Sequence, residues 1–405
     1  MNMDEEFSIL WKFYFMDSVS AFTTLTTPIL IIYLIAVNMS TSLIGLLFGL
    51  VALFIVLFEI PTGVVADVFG RKLSVIISIF LDTIAAFMMF LSTNHFIIGA
   101  ALLIGAIAYT FLSGALYSWF VDYYLHKGDK KYLNRVISRK ESIFSFMSFF
   151  AYCSSSIILI ILKPSYGFIN VVRFMYLIET VILILLAIIA ISTKEPYFKR
   201  KKIKNYFRDS FKNAKITFKK SIVEIKKSKK LLYIFFGSMV FFFASTSLST
   251  EWIQFKNNGI DESMNGFLYG GMYLLSGITL MLNEKLTKKG SFKLIILSLI
   301  VLSVSTFLMG LNIGLWLIPV FLINAGIFWN LLFNNLNIEI NKLIQKKIRA
   351  TVLSMKSVSD QIPTMLGDFL LFGLVSDLFS INITLFAGGI IMLSSLLIFL
   401  RLDKV

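Results

Sequence analysis

One cysteine, Cys153, in 405 residues excludes an internal disulfide, and two isolated histidines, His95 and His126, leave no metal-ligand cluster to assemble. Charge is scarce as well. Asp, Glu, Lys and Arg make up 15% of the chain, against roughly a quarter in soluble domains. Acids are the rarer sign, 23 against 38 bases. The chain contains no HExxH, no phosphate-cradling G-x-x-x-x-G-K-[ST] and no histidine placed to activate a nucleophile. An enzyme, a self-powered ATP pump and a bound cofactor are therefore not expected. What is present is apolar: 57% hydrophobic residues, 41 Phe and a mean hydropathy of +0.83.

A helix needs about 20 apolar residues to cross a bilayer. Twelve runs meet that need, near 9–36, 42–66, 73–92, 96–122, 141–162, 168–192, 231–255, 264–283, 292–310, 314–337, 350–375 and 381–401. Helices are expected because lipid leaves no partner for unpaired backbone groups, and the runs lack the alternation of barrel strands. The acidic start, Met1 to Glu6, and the long run after it read as a retained first span, not a removed leader. All but three of the 38 bases, Lys163, Arg173 and Lys256, fall in segments on one side if both termini are cytoplasmic. That asymmetry fixes the expected orientation and removes a nucleic-acid reading of the net charge of +15. The expected fold is an all-α membrane protein of twelve transmembrane helices in two pseudo-symmetric six-helix bundles. Residues 1–192 form the first bundle and 231–405 the second; 193–230 is a basic linker held near anionic lipid.

Between the second and third runs stands Gly63-Val-Val-Ala-Asp67-Val-Phe-Gly70-Arg71-Lys72. Its glycines permit a sharp turn, and Asp67 is of a kind favoured at a helix N-terminus. This G-x-x-x-D-x-x-G-R-K spacing resembles the signature loop of the Major Facilitator Superfamily. Trp119-x-x-Asp122 and Arg349-Ala-Thr-Val-Leu-Ser354 extend the resemblance over the chain. Phe58-Glu-Ile-Pro-Thr-Gly63 resembles bacterial members of the multidrug-efflux type. The resemblance implies a conformational latch. Asp67 would meet the helix start at Arg349, and Arg71 would meet Asp122, with Gly63, Gly70 and Lys72 completing the loop. Fixing topology is the alternative role for these charges. Two family features are missing. Thr110 stands where proton-coupled drug antiporters carry an arginine four residues before a glycine, here Gly114, and 141–162 holds no glycine-proline pair.

Ionisable residues inside apolar runs are costly and mark transport paths. Asp17 shares a helical face with Ser20, Thr24 and Thr27, and Pro28 offers a bend. Asp17, Asp82 and Glu179 are the proton-coupling candidates; for Asp82 the alternative is neutralisation by Arg173 or a helix neighbour. The family resemblance assigns the cavity to the first, fourth, seventh and tenth spans. Ser20, Thr24, Tyr109, Ser113, Tyr117, Glu251, Asn330 and Asn334 are the cavity candidates on them, with hydrogen bonding between helices as the competing role of the asparagines.

The resemblance implies a monomeric secondary transporter of the bacterial inner membrane. It would work by alternating access, with a small-molecule substrate, protons and membrane lipid as partners and no nucleic acid. Proton-coupled export of amphipathic or cationic compounds is the leading expectation. Proton-coupled import of a sugar or other nutrient is the first alternative; a non-transporting membrane receptor or scaffold is the second.

Overall fold

The computed structural model describes residues 3–127, 133–195, 222, 225–226, 228–287, 290–314, 317–344 and 349–401. Most of the basic linker, and the reading made for it, lies outside these residues. Among them the chain is helical throughout, with no strand, and the helices form twelve stretches. Ten stretches are long and apolar enough to span a bilayer. The other two are the eighth, Asn265–Thr287, and the eleventh, which opens as Arg349–Gly367. The eleventh carries Lys356, Asp360 and Asp368 within its apolar run, which is enough to dilute its hydropathy.

Several spans are broken, each for a local reason. The first runs as a helix over Met3–Ser20, tightens into 3-10 turns at Ala21–Thr24 and Thr27–Ile29, and resumes over Leu30–Ala36. Pro28, which cannot donate its nitrogen, lies in that break. The seventh repeats the pattern without a proline: Lys229–Ser245, 3-10 turns over Thr246–Thr250, then Glu251–Asn257. Gly70 and Gly290, with φ of +106° and +112°, directly precede the third and ninth spans, Arg71–Leu91 and Ser291–Gly310. These are matching positions in the two halves, and both need a backbone that side chains disfavour.

Two compact units are present. The first comprises Met1–Tyr33, Phe54–Phe207 and Asn265–Gly270; the second comprises Leu34–Leu53, Arg208–Met264 and Gly271–Val405. In the first, Phe13 packs edge-on against Trp119 (5.1 Å) and Phe120 (5.6 Å), clamping the first span to the fourth. The start of the eighth span lies on the fifth, where the Phe267 amide donates to Ser156 Oγ at 2.9 Å. In the second unit, Phe241, Trp329 and Phe399 belong to one apolar cluster. Large apolar side chains such as Phe80, Phe96 and Met281 are exposed, as expected of surfaces that meet lipid.

Candidate functional site

Gly63 to Phe69 do not turn but continue the second helix, Thr41–Phe69, so the signature loop shrinks to Gly70 between that helix and the first turn of the third span. Arg71 donates to the Asp122 carboxylate and to the Ser118 carbonyl at 2.9 Å, so loop and fourth span are joined. Gly63 and Asp67 are exposed. The side chain of Arg349 lies outside the described residues. A second acid, Glu195, accepts from the backbone amides of Arg71 (3.1 Å) and Lys72 (3.2 Å), capping the N-terminus of the third span. Lys72 Nζ bonds the Ile191 carbonyl at 2.6 Å, so the end of the sixth span closes on the same turn.

Burial raises the Glu195 carboxyl above its ordinary value of 4.5, against the pull of the Lys72 and Arg71 amides and of both cations. An acid raised on folding contributes fully below its unfolded value, and that contribution is lost as pH rises through the folded one. Glu195→Gln is expected to match the parent in acid and to gain on it towards neutrality. Melting temperatures of the detergent-solubilised protein across about pH 4–8 check the sign.

Asp17 sits at the buried end of the first helix, 3% exposed. Its Oδ1 is 3.2 Å from Lys140 Nζ on the fifth span, and its Oδ2 is buried without a hydrogen-bond partner. Lys140 is buried too, with its ammonium 5.8 Å from the centre of the Phe120 ring. Lys140 lies inside the fifth helix, Leu133–Tyr166, which begins before residue 141, rather than in the loop ahead of it. Ser20 and Thr24 bond back to the carbonyls of Asp17 and Ala21, and Thr24 also reaches Tyr152 Oη at 3.2 Å. The 3-10 break serves a second acid: Glu179 Oε1 accepts from the amide (2.8 Å) and hydroxyl (3.0 Å) of Thr26. Asp82 lies within electrostatic reach of Glu179. Arg173 does not pair with it; the guanidinium bonds the carbonyls of Phe90 (2.8 Å) and Leu91 (3.0 Å), closing the end of the third span.

The fourth span divides into His95–Leu112 and Ala115–Lys127, with Gly114 at φ +71°. Carbonyls freed by the break are taken up by neighbours: Thr62 Oγ1 donates to Thr110 O at 3.0 Å and Ser74 Oγ to Phe111 O at 2.7 Å. Ser113 Oγ donates to Glu59 Oε1 on the second span at 3.2 Å. Tyr109 and Tyr117, one turn either side of Ser113, are exposed. Glu59 was missed as a site residue, although an acid inside Val56-Leu-Phe-Glu-Ile60 was a visible signal.

In the second unit Glu251 follows the 3-10 turns of the seventh span and is buried, with no hydrogen-bond or ion-pair partner among the described residues. Asn330 and Asn334 bond backwards along their own helix, to Ala325 and Gly326 (both 3.4 Å) and to Asn330 (3.0 Å). The helix-to-helix bond belongs instead to buried Asn335, which donates to Asn283 at 3.2 Å. Lys356, also counted with the inner loops, is buried in an i,i+4 pair with Asp360 (2.6 Å to Oδ1), 5.3 Å from the Phe242 ring. Each half thus holds a lysine near the start of its fifth span, paired with an aspartate and over a phenylalanine.

Twelve helical stretches, with ionisable pairs and helix breaks inside apolar runs, define a polytopic helical membrane protein whose interior is polar at chosen points. The model of the Major Facilitator Superfamily matches residues 14–257 and 234–405, and the chain belongs to that family. An uncharacterized MFS-type transporter, YxaM of Bacillus subtilis (strain 168), is 24% identical over 272 residues, covering 66% of this chain. The match spans 64% of that relative's length. Among solved structures, the nucleoside transporter NupG superposes with a TM-score of 0.74 at 12% identity over the full length of both chains. A POT family transporter in complex with a thioalcohol-conjugated peptide gives 0.76 at 14%, over 98% of this chain and 96% of that one. The xylose transporter XylE from E. coli gives 0.71 at 12%, over 97% and 98%. At these identities the likeness is one of fold.

Proposed function

We propose that the protein is a secondary transporter working by alternating access in the bacterial inner membrane, and that it exports amphipathic or cationic small molecules in exchange for protons. Family membership supports the general statement. The observation that carries the finer one is the Asp17–Lys140 pair, a buried carboxylate with one oxygen held and the other without a partner. A buried charge left unpaired is costly, so proton arrival at Asp17 and release of Lys140 are linked events. The pair is a place where a proton changes what the first and fifth spans hold between them. The Arg71–Asp122 contact, with Glu195 on the adjoining amides, supports the latch role read from the signature loop: such contacts favour one state and are given up in the other.

Reconstitution tests this. In proteoliposomes with an imposed pH gradient, Asp17→Asn is expected to reduce gradient-driven flux of the lipophilic cation tetraphenylphosphonium to background. Exchange of the same cation across vesicles without a gradient should persist. Unaltered gradient-driven flux in the variant would remove Asp17 from the coupling role.

A further inference from the structure

Glu59 is an intramembrane acid to which the preceding account gives no role. It lies inside the apolar run of the second span, and the one hydrogen bond described for its carboxylate comes from a neutral hydroxyl, Ser113 Oγ at 3.2 Å. No Lys or Arg lies within ion-pair distance of it among the described residues. A carboxylate in that setting is too costly to face hydrocarbon and must look onto protein or water. Its neighbours indicate which. Ser113 sits at the break of the fourth span, where a methyl group built on Gly114 would meet no atom within 4 Å, so the joint borders open space. Tyr109, one turn before Ser113 and 53% exposed, lies within electrostatic reach of the Glu59 carboxylate, and Tyr117, 46% exposed, follows on the helix past the break. An uncompensated carboxylate thus stands beside one accessible phenol ring, with a second on the next helical segment.

We propose that Glu59, Tyr109 and Ser113 form a recognition site for an organic cation, with Tyr117 extending its aromatic wall. Carboxylate charge and ring faces both attract a cation, and desolvation strengthens the attraction. An anionic cargo would be repelled by Glu59, and a neutral polyol would leave its charge unanswered. Ser113 is a positioning residue: its hydroxyl aims the carboxylate. The proposal rests on the transporter reading and gives its cationic cargo a binding site.

Binding of tetraphenylphosphonium to the purified full-length protein, measured by calorimetry without any gradient, is the test. Glu59→Gln keeps the size of the side chain and an acceptor for Ser113, so the fold is retained, and a melting curve verifies this. It is expected to weaken binding roughly ten-fold. Tyr109→Leu should weaken it several-fold, and Tyr109→Phe, which keeps the ring, should bind like the parent. Parent-like affinity in Glu59→Gln, or no binding of this cation by the parent, overturns the proposal. Binding that depends on Glu59 in a protein that moves nothing in proteoliposomes overturns the transport reading alone. Flux that persists beside unchanged Glu59→Gln binding overturns this site alone.

Discussion

Lys140→Met is expected to destabilise the protein by about 3–5 kcal/mol, because it strands Asp17 as a buried, unpaired charge. The ammonium is the one cation within ion-pair distance of that carboxylate among the described residues, and Asp17 is 3% exposed. Nothing polar stands ready to replace it, since Asp17 Oδ2 already lacks a partner. Adding Asp17→Asn to Lys140→Met should restore most of the loss, because a buried ion pair exchanged for neutral groups of similar volume is often near neutral in stability. Equilibrium unfolding in mixed micelles of the parent, both single variants and the double variant measures this. A Lys140→Met protein as stable as the parent would show the lysine to be solvated and the pair to be incidental.

Gly389→Leu is the second large effect. The ninth span meets the twelfth, Ile381–Phe399, through backbone. A Cβ at Gly389 would stand 2.7 Å from the Phe307 nitrogen and 2.9 Å from its Cα, and one at Gly310 would stand 3.0 Å from the Phe386 nitrogen. Helices in lipid associate by this kind of close approach, in which small residues let backbones touch. A leucine cannot be taken up by a flexible neighbour, because the obstacle is main chain. The spans must separate, at a cost of about 3 kcal/mol from overpacking, and a lower melting temperature with poor monodisperse yield is the expected readout. Gly389→Ala should show the same fault in milder form.

The twelve spans were legible because crossing a bilayer demands long apolar runs, and a run of about 20 residues is hard to mistake. Breaks within them were legible only where an amino acid announces one. Pro28 marked the bend in the first span, whereas the matching 3-10 segment of the seventh, Thr246–Thr250, has neither proline nor glycine and went unseen. Lys140 and Lys356 were assigned to loops because base-counting takes every lysine at the edge of a run as solvated. Their partners, Asp17 and Asp360, are what permit burial: Asp17 lies 123 positions from Lys140, a pairing not written in local sequence, whereas Asp360 follows Lys356 by four residues and is legible as a helical pair. Glu59 shows in the sequence only by its identity, since a lone acid barely lowers the hydropathy of twenty residues. Asn330 and Asn334 lie one helical turn apart, yet both turn back on their own backbone, and Asn335, on another face, makes the cross-helix bond.

The joint in the fourth span has one further bearing. Its released carbonyls are carried by hydroxyls from the second and third spans, Thr62 and Ser74. A bent helix supported in this way is not a free elbow: swinging either limb would pull on two neighbours or strip acceptors of their donors in a medium without water to replace them. Movement at this corner is therefore shared among three helices, with Ser74 three residues after Arg71 on the third and Thr62 three after Glu59 on the second.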